Sequence, residues 1–245
     1  TALLAQLGYP PDYLTPKPYC PICEDTGYTD TARCACLDKL LKEIAAARLN
    51  SESPLQLCSF ETFKLDYYPD RQDPSLGINI REKMTEIYRS LKSYAEHFSL
   101  SSKSLFLWGP PGLGKTHLAL AIAGVVLDKG YSVIYMPAQN MVNRLEKDRF
   151  SSGTEGEAET AFLECDLLII DDLGTEFLNS FVQAALYNVI NSRILSGKPT
   201  IISTNLEFAT LRERYPDRLF SRLTGCFADL YFVGEDIRRK KKKED

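Results

Sequence analysis

The run Gly109-Pro110-Pro111-Gly112-Leu113-Gly114-Lys115-Thr116 is a complete G-x-x-x-x-G-K-T loop. An apolar run, Leu105-Phe106-Leu107-Trp108, leads into it, and a helix-like run from His117 to Leu127 leads out. A strand, a glycine-rich turn and a helix in that order are the context in which this motif cradles phosphate. Its glycines let backbone N–H groups turn inward around phosphate oxygens, and the following helix N-terminus adds partial positive charge at the same point. Lys115 is long enough to reach the β- and γ-phosphates of a nucleotide, and the Thr116 hydroxyl can ligate Mg²⁺. Gly109 to Thr116, with His117 behind them, are therefore the expected nucleotide-binding residues, and the chain around them is expected to be α/β.

Two later segments have the character of strands that serve such a loop. In Asp166-Leu167-Leu168-Ile169-Ile170-Asp171-Asp172, four consecutive apolar residues read as a strand buried on both faces, as in a parallel sheet. Two acids stand at its C-terminal end, where open α/β sheets place ligands. Paired carboxylates there are costly unless something uses them. Asp171 is suited to the Mg²⁺ shell and Asp172 to orienting or deprotonating an attacking water. Thr200-Ile201-Ile202-Ser203-Thr204-Asn205 is a second such strand, and Asn205 can present its amide to the γ-phosphate or the water. With Ser132–Met136 and Phe227–Val233 as further strands, the expectation is a parallel sheet of about five strands with helices on both faces.

Cysteine usage marks a different region. Four of the seven cysteines, Cys20, Cys23, Cys34 and Cys36, fall as C-x-x-C and C-x-C around a turn-rich loop. Disulfides are rare in cytoplasmic proteins, so clustered cysteines point to metal, and two close pairs can set four thiolates tetrahedrally around Zn²⁺. With four protein ligands the ion has no open position for catalysis and serves to fold a small segment. A helix over Leu37–Leu49 is expected to pack on this knuckle. The division is residues 1–55 as zinc-binding region and linker helix, and 56–245 as the nucleotide domain with a basic tail.

The net charge of −4 announces no global basic field, so DNA contact must come from a local patch. Arg144, Lys147 and Arg149 on an expected helix over 140–150 are one such patch or a solvated face, and Arg238–Lys243 is a disordered tail or a transient phosphate contact. No apolar run approaches the roughly 20 residues that span a bilayer, and no signal peptide is visible, so a cytoplasmic location without membrane contact is expected. Phe60 and Phe63 either pack on the core or wall an adenine. Asn79–Phe98 has a helical apolar stripe closing at His97, whose expected role is capping or surface. A flexible loop is expected over 151–158, a helix over Phe177–Ser196, and another over Leu211–Gly225, rich in arginine.

Taken together, these residues resemble an AAA+ ATPase of the initiator and loader clade. Asp171-Asp172-Leu173-Gly174-Thr175-Glu176 and Ser203-Thr204-Asn205-Leu206 resemble the Walker B and sensor 1 motifs of DnaC/DnaI-type replicative helicase loaders. The Cys-Pro-x-Cys-x-Asp-Thr-Gly-Tyr start and the Gly234-Glu235-Asp236-Ile237-Arg238 end are similar to those of loaders too. The resemblance implies ATP bound and hydrolysed to ADP with Mg²⁺; no sizeable helical segment follows Phe227–Val233, so no C-terminal lid domain is expected. It implies Asp171 and Asp172 as Walker B acids, Asn205 as sensor 1, and Arg222 as an arginine finger for a neighbouring subunit, with Arg218 as second choice. Arg238 would act like sensor 2. The implied partners are a hexameric replicative helicase, single-stranded DNA and further copies of the chain, with the zinc region facing the helicase. A transposition helper ATPase of the IstB type shares the core. A non-hydrolysing, ATP-switched DNA-binding adaptor is the third reading.

Overall fold

The computed structural model describes residues 4, 6–10, 12–14, 17–30, 32–50, 58–150 and 156–238. They form two compact units, Thr1–Ile44 and Ala45–Asp245. Among the described residues, no helix is long and apolar enough to cross a membrane.

The smaller unit is built around its cysteines. Asp25, at positive φ, turns its carboxylate back to accept from the N–H groups of Tyr19 (2.9 Å) and Cys20 (2.8 Å). Gly27 accepts from the Cys34 N–H at 2.8 Å, which brings the second cysteine pair under the first. Helix α1 (Ala35–Asn50) follows. Leu37 reaches the knuckle and would touch any side chain at 27. Leu40, Leu41 and Ile44 remain 50%, 43% and 55% exposed, contrary to the expected packing, because the loop covers only the first turn of the helix.

The larger unit opens with a 3-10 turn (Leu65–Tyr67) and α2 (Ile80–Glu96), capped by Asn79 through the Glu82 N–H and closed at His97. It continues with β1 (Leu105–Trp108), α3 (Lys115–Asp128), β2 (Val133–Pro137), α4 (Ala138–Phe150), α5 (Glu157–Glu164) and β3 (Leu167–Leu173). Then come α6 (Ser180–Leu195), β4 (Thr200–Thr204), α7 (Phe208–Arg214), α8 (Asp217–Cys226) and β5 (Ala228–Tyr231). All strand pairs are parallel, in the order β2-β3-β4-β1-β5, so the five-stranded sheet matches expectation. The apolar runs are explained by cores on both faces. Leu105, Leu107, Leu167 and Ile169 face α2 and α3, while Phe106, Leu168 and Ile170 face the core shared by α4 to α8.

Four boundaries differ from the sequence reading. Residues 151–155 lie outside the described residues, but Glu157 and Ala158, expected in a loop, open α5. The helix expected from Phe177 starts at Ser180, because Asn179 caps it by accepting from Val182 N at 2.8 Å. The helix expected over 211–225 is two, since Pro216 holds Tyr215 in extended backbone. The last strand stops at Tyr231. The expected basic tail beyond Arg238 lies outside the described residues.

One buried charge was not anticipated. Arg193 on α6 is fully buried, and its Nη1 donates to the carbonyls of Phe162 (2.7 Å) and Cys165 (2.9 Å) at the C-terminal end of α5. Nη2 donates to the Pro199 carbonyl at 2.6 Å, and Nε to Thr200 Oγ1 at 2.9 Å. The cation thus satisfies helix-end carbonyls that carry partial negative charge. Arg193→Met is expected to cost about 3–5 kcal/mol, since it strands buried acceptors. Urea unfolding checks this, and an unchanged midpoint would contradict it.

Candidate nucleotide-binding site

The P-loop joins β1 to α3 at the C-terminal edge of the sheet. Lys115 is the first residue of α3 and only 4% exposed; its Nζ donates to the carbonyls of Gly109 and Pro110, each at 2.7 Å. Burial pushes the Lys115 ammonium down to about 8, while Asp172 and Asp171 oppose the shift and Arg238 adds to it. Gly112 has φ +74°, and a Cβ there would lie 2.0 Å from Asp236 Oδ1. The left-handed backbone at Gly112 favours glycine, and the Gly234–Arg238 strap lies against the loop, where Ile237 N donates to the Gly112 carbonyl at 3.2 Å.

Thr116 Oγ1 donates to Asp171, 2.9 Å from Oδ2 and 3.2 Å from Oδ1. Asp171 is buried and also accepts from Tyr135 OH at 2.6 Å and from the Ser203 hydroxyl. Asp172 follows in the left-handed region, φ +52°, where the β3–β4 register shifts between Ile170 and Leu173. Such a bulge breaks the strict alternation of a strand and re-aims side chains. Here it leaves Asp171 beside Thr116 while Asp172 lines the cavity. Asp172 N donates to Ser203 Oγ at 3.0 Å, and Asn205 Nδ2 donates to Asp172 Oδ1 at 2.9 Å. Burial, and then the charge of Asp171, hold the Asp172 carboxyl above its ordinary value, against the pull of Lys115.

These groups surround a cavity of about 800 Å³ lined by Glu61–Lys64, Tyr67, Gly112–His117, Asp172, Asn205, Ile237 and Arg238. Phe63 packs on the core and also faces the cavity. It is 8% exposed, stacks on Tyr68 (5.8 Å) and Tyr88 (5.6 Å), and lines the cavity. His117 Nε2 pairs with the Ser59 carbonyl at 2.9 Å and lies 3.1 Å from Thr62 Oγ1, which ties the approach segment to α3. Arg238 joins the cavity wall, whereas Arg218 and Arg222 do not: both stack on Tyr187, at 4.5 and 5.1 Å.

Sequence reasoning missed Tyr135 and Ser203, which hold Asp171, and the cavity-lining Glu61, Thr62, Lys64, Tyr67 and Ile237. Tyr135 sits inside an apolar run and carries no local mark of its task. Ser203, in a polar strand end beside Asn205, could have been suspected.

Cys20, Cys23, Cys34 and Cys36 present sulfur atoms within 4.8 Å of one another. Cys20 and Cys34 are 3.8 Å apart, and Cys23 and Cys36 3.3 Å. Thiolates at about 2.3 Å from a shared tetrahedral ion would stand roughly 3.8 Å apart, so the donor set fits zinc.

Residues 81–244, more than half of the chain, match the family described as IstB-like ATP binding protein. The replicative helicase loader DnaC of Escherichia coli (strain K12) is 25% identical over 169 residues, which cover 69% of this chain and 63% of that one. A protein of insertion sequence IS21 from Pseudomonas aeruginosa is 28% identical over 164 residues, 65% of this chain and 60% of that one. The chain spans less than two thirds of the length of these curated relatives. A crystal structure of the DnaC helicase loader aligns with a TM-score of 0.58 at 23% identity, over 71% of this chain and 98% of that one, which shows a shared fold. With the phosphate loop, the paired acids and the strand-end asparagine assembled around one cavity, and with this match across the domain that carries them, the chain belongs to the IstB-like ATP-binding family.

Proposed function

We propose that this chain is an ATP-hydrolysing loader that delivers a ring-shaped replicative helicase onto single-stranded DNA in the cytoplasm. The observation that carries the loader reading is the four-thiol cluster ahead of the ATP-binding domain. A knuckle of this kind is a ready docking module for a protein partner, and its exposed Tyr19 and Ile22, 96% and 73% accessible, suit that use. In the division proposed, residues 1–55 hold zinc and engage the helicase, and residues 56–245 bind ATP.

The Gly109–Thr116 loop, of which Gly112–Thr116 line the cavity, holds the phosphates, and Lys115 turns from its loop carbonyls to the β- and γ-oxygens. Thr116 and Asp171 hold Mg²⁺, whose chemistry is to offset phosphate charge. Asp172, poised by Asn205, orients or deprotonates the attacking water. Tyr135 and Ser203 hold Asp171 in place. Arg222, with Arg218 one turn before it, is the finger that completes a neighbouring copy's site, which accords with its absence from the cavity wall of its own chain.

The 28% identity to the IS21 protein supports a second reading, a transposition helper. Co-elution with the replicative helicase of the source organism, with and without ATP, separates them. The expected result is a complex that a Cys20→Ser/Cys23→Ser variant no longer forms. No complex in either condition, using the chain with any native N-terminal extension, would favour the helper or the adaptor.

A further inference from the structure

The loop after the paired acids ends on Glu176, which is 1% exposed and takes no part in the cavity. Its Oε2 accepts from the Gly174 N–H at 2.9 Å, and its Oε1 accepts from the Tyr215 hydroxyl. Arg214 donates through Nη2 to the Glu176 carbonyl, while its Nε, buried and without a hydrogen bond, lies 3.9 Å from Oε1. A carboxylate withdrawn from water is costly and is held here by the end of α7. The other side of the same loop is clamped by β4. Gly174, at φ +109°, leaves room for Leu206, whose Cδ1 would stand 2.4 Å from a Cβ, and Thr204 Oγ1 donates to the Leu173 carbonyl at 2.6 Å. Thr175 Oγ1 donates to the Asp172 carbonyl at 2.9 Å. Three residues after Tyr215, past Pro216, α8 presents Arg218 and then Arg222.

From this geometry we propose that Glu176 is a positioning residue that couples the two ends of the catalytic apparatus. Through Tyr215 and Arg214 it fixes the start of α8, and with it the arginines offered to a neighbouring copy, to the loop carrying Asp172. The state of a subunit's own site and the placement of its finger are then one mechanical unit. This rests on the reading of Arg222 or Arg218 as a finger acting in trans.

The test is ATP turnover of full-length chains, alone and in mixtures, across protein concentration. Glu176→Gln keeps volume and an acceptor for Gly174 N–H but removes the charge facing Arg214. It is expected to bind ATP within about twofold of the parent and to turn over about tenfold slower, the size of one charge-assisted hydrogen bond. Mixed with Lys115→Ala chains, which offer an intact finger but cannot bind ATP, its turnover is expected to recover severalfold. A merely structural defect in Glu176→Gln would not be rescued this way. Arg222→Ala mixed with Lys115→Ala is the control, with Arg218→Ala in its place if that proves the finger. If the control recovers and Glu176→Gln does not, the proposal is overturned. If the control fails too, the trans finger itself is wrong and the proposal falls with it. Tyr215→Phe is expected to repeat the Glu176→Gln pattern, and it decides the matter if Glu176→Gln melts early.

Discussion

Replacing Lys115 with alanine is expected to remove nucleotide binding. The ammonium is the one cation on the P-loop itself and is already held at the mouth of α3, so little reorganisation is needed to meet phosphate. Charge-assisted contacts to two phosphate groups are worth about 1.5–3 kcal/mol each, and their loss should weaken ATP binding by more than about 100-fold. A fluorescent ATP analogue titrated into Lys115→Ala checks this, and tight binding would refute the P-loop assignment. The same lysine predicts a pH dependence. Burial sets it at about 8 before nucleotide arrives, and bound phosphates must raise it. Below pH 8 the binding-competent charge is present in both states and affinity is flat in this respect. Above pH 8 binding must take up a proton, so affinity falls with rising pH, by up to about tenfold per unit. Lys115→Arg should lose that slope.

Arg222→Ala is expected to leave ATP binding intact and to lower turnover of the assembled protein by about a thousandfold, the lower range for a finger supplied in trans. Its guanidinium stacks on Tyr187 at 5.1 Å, and its Nε donates to Asn191 Oδ1 at 2.5 Å. Loss of this half-buried stacking contact and its hydrogen bond costs about 1–3 kcal/mol of stability, and a thousandfold kinetic effect with an unchanged unfolding midpoint would not be a folding effect in disguise. Turnover per chain should rise with concentration in the parent and stay flat in the variant. An unchanged rate in Arg222→Ala with a fall in Arg218→Ala would move the finger one turn. Unchanged rates in both would remove it.

What could be read without coordinates was whatever obeys a local rule. The P-loop is contiguous because phosphate is held by successive backbone N–H groups, so its eight residues declare themselves. The buried strands show as apolar runs because both faces of the sheet are covered. The four cysteines, whose sulfur atoms meet within 4.8 Å, stand close in sequence because a small segment can bring together only near neighbours. What local rules miss is convergence of distant groups and departures from regular geometry. Nothing near Tyr135 shows that its hydroxyl meets Asp171 on the neighbouring strand, and nothing near Arg193 shows that acceptors from two segments, 162–165 and 199–200, enclose it. The bulge at Asp171-Asp172 is the deepest such case. A regular strand would send consecutive side chains to opposite faces, and pairing with β4, together with a left-handed Asp172, is what delivers both acids to one site. Residue identity therefore determined which chemistry the chain carries, and the register of the sheet decided which atoms meet to perform it.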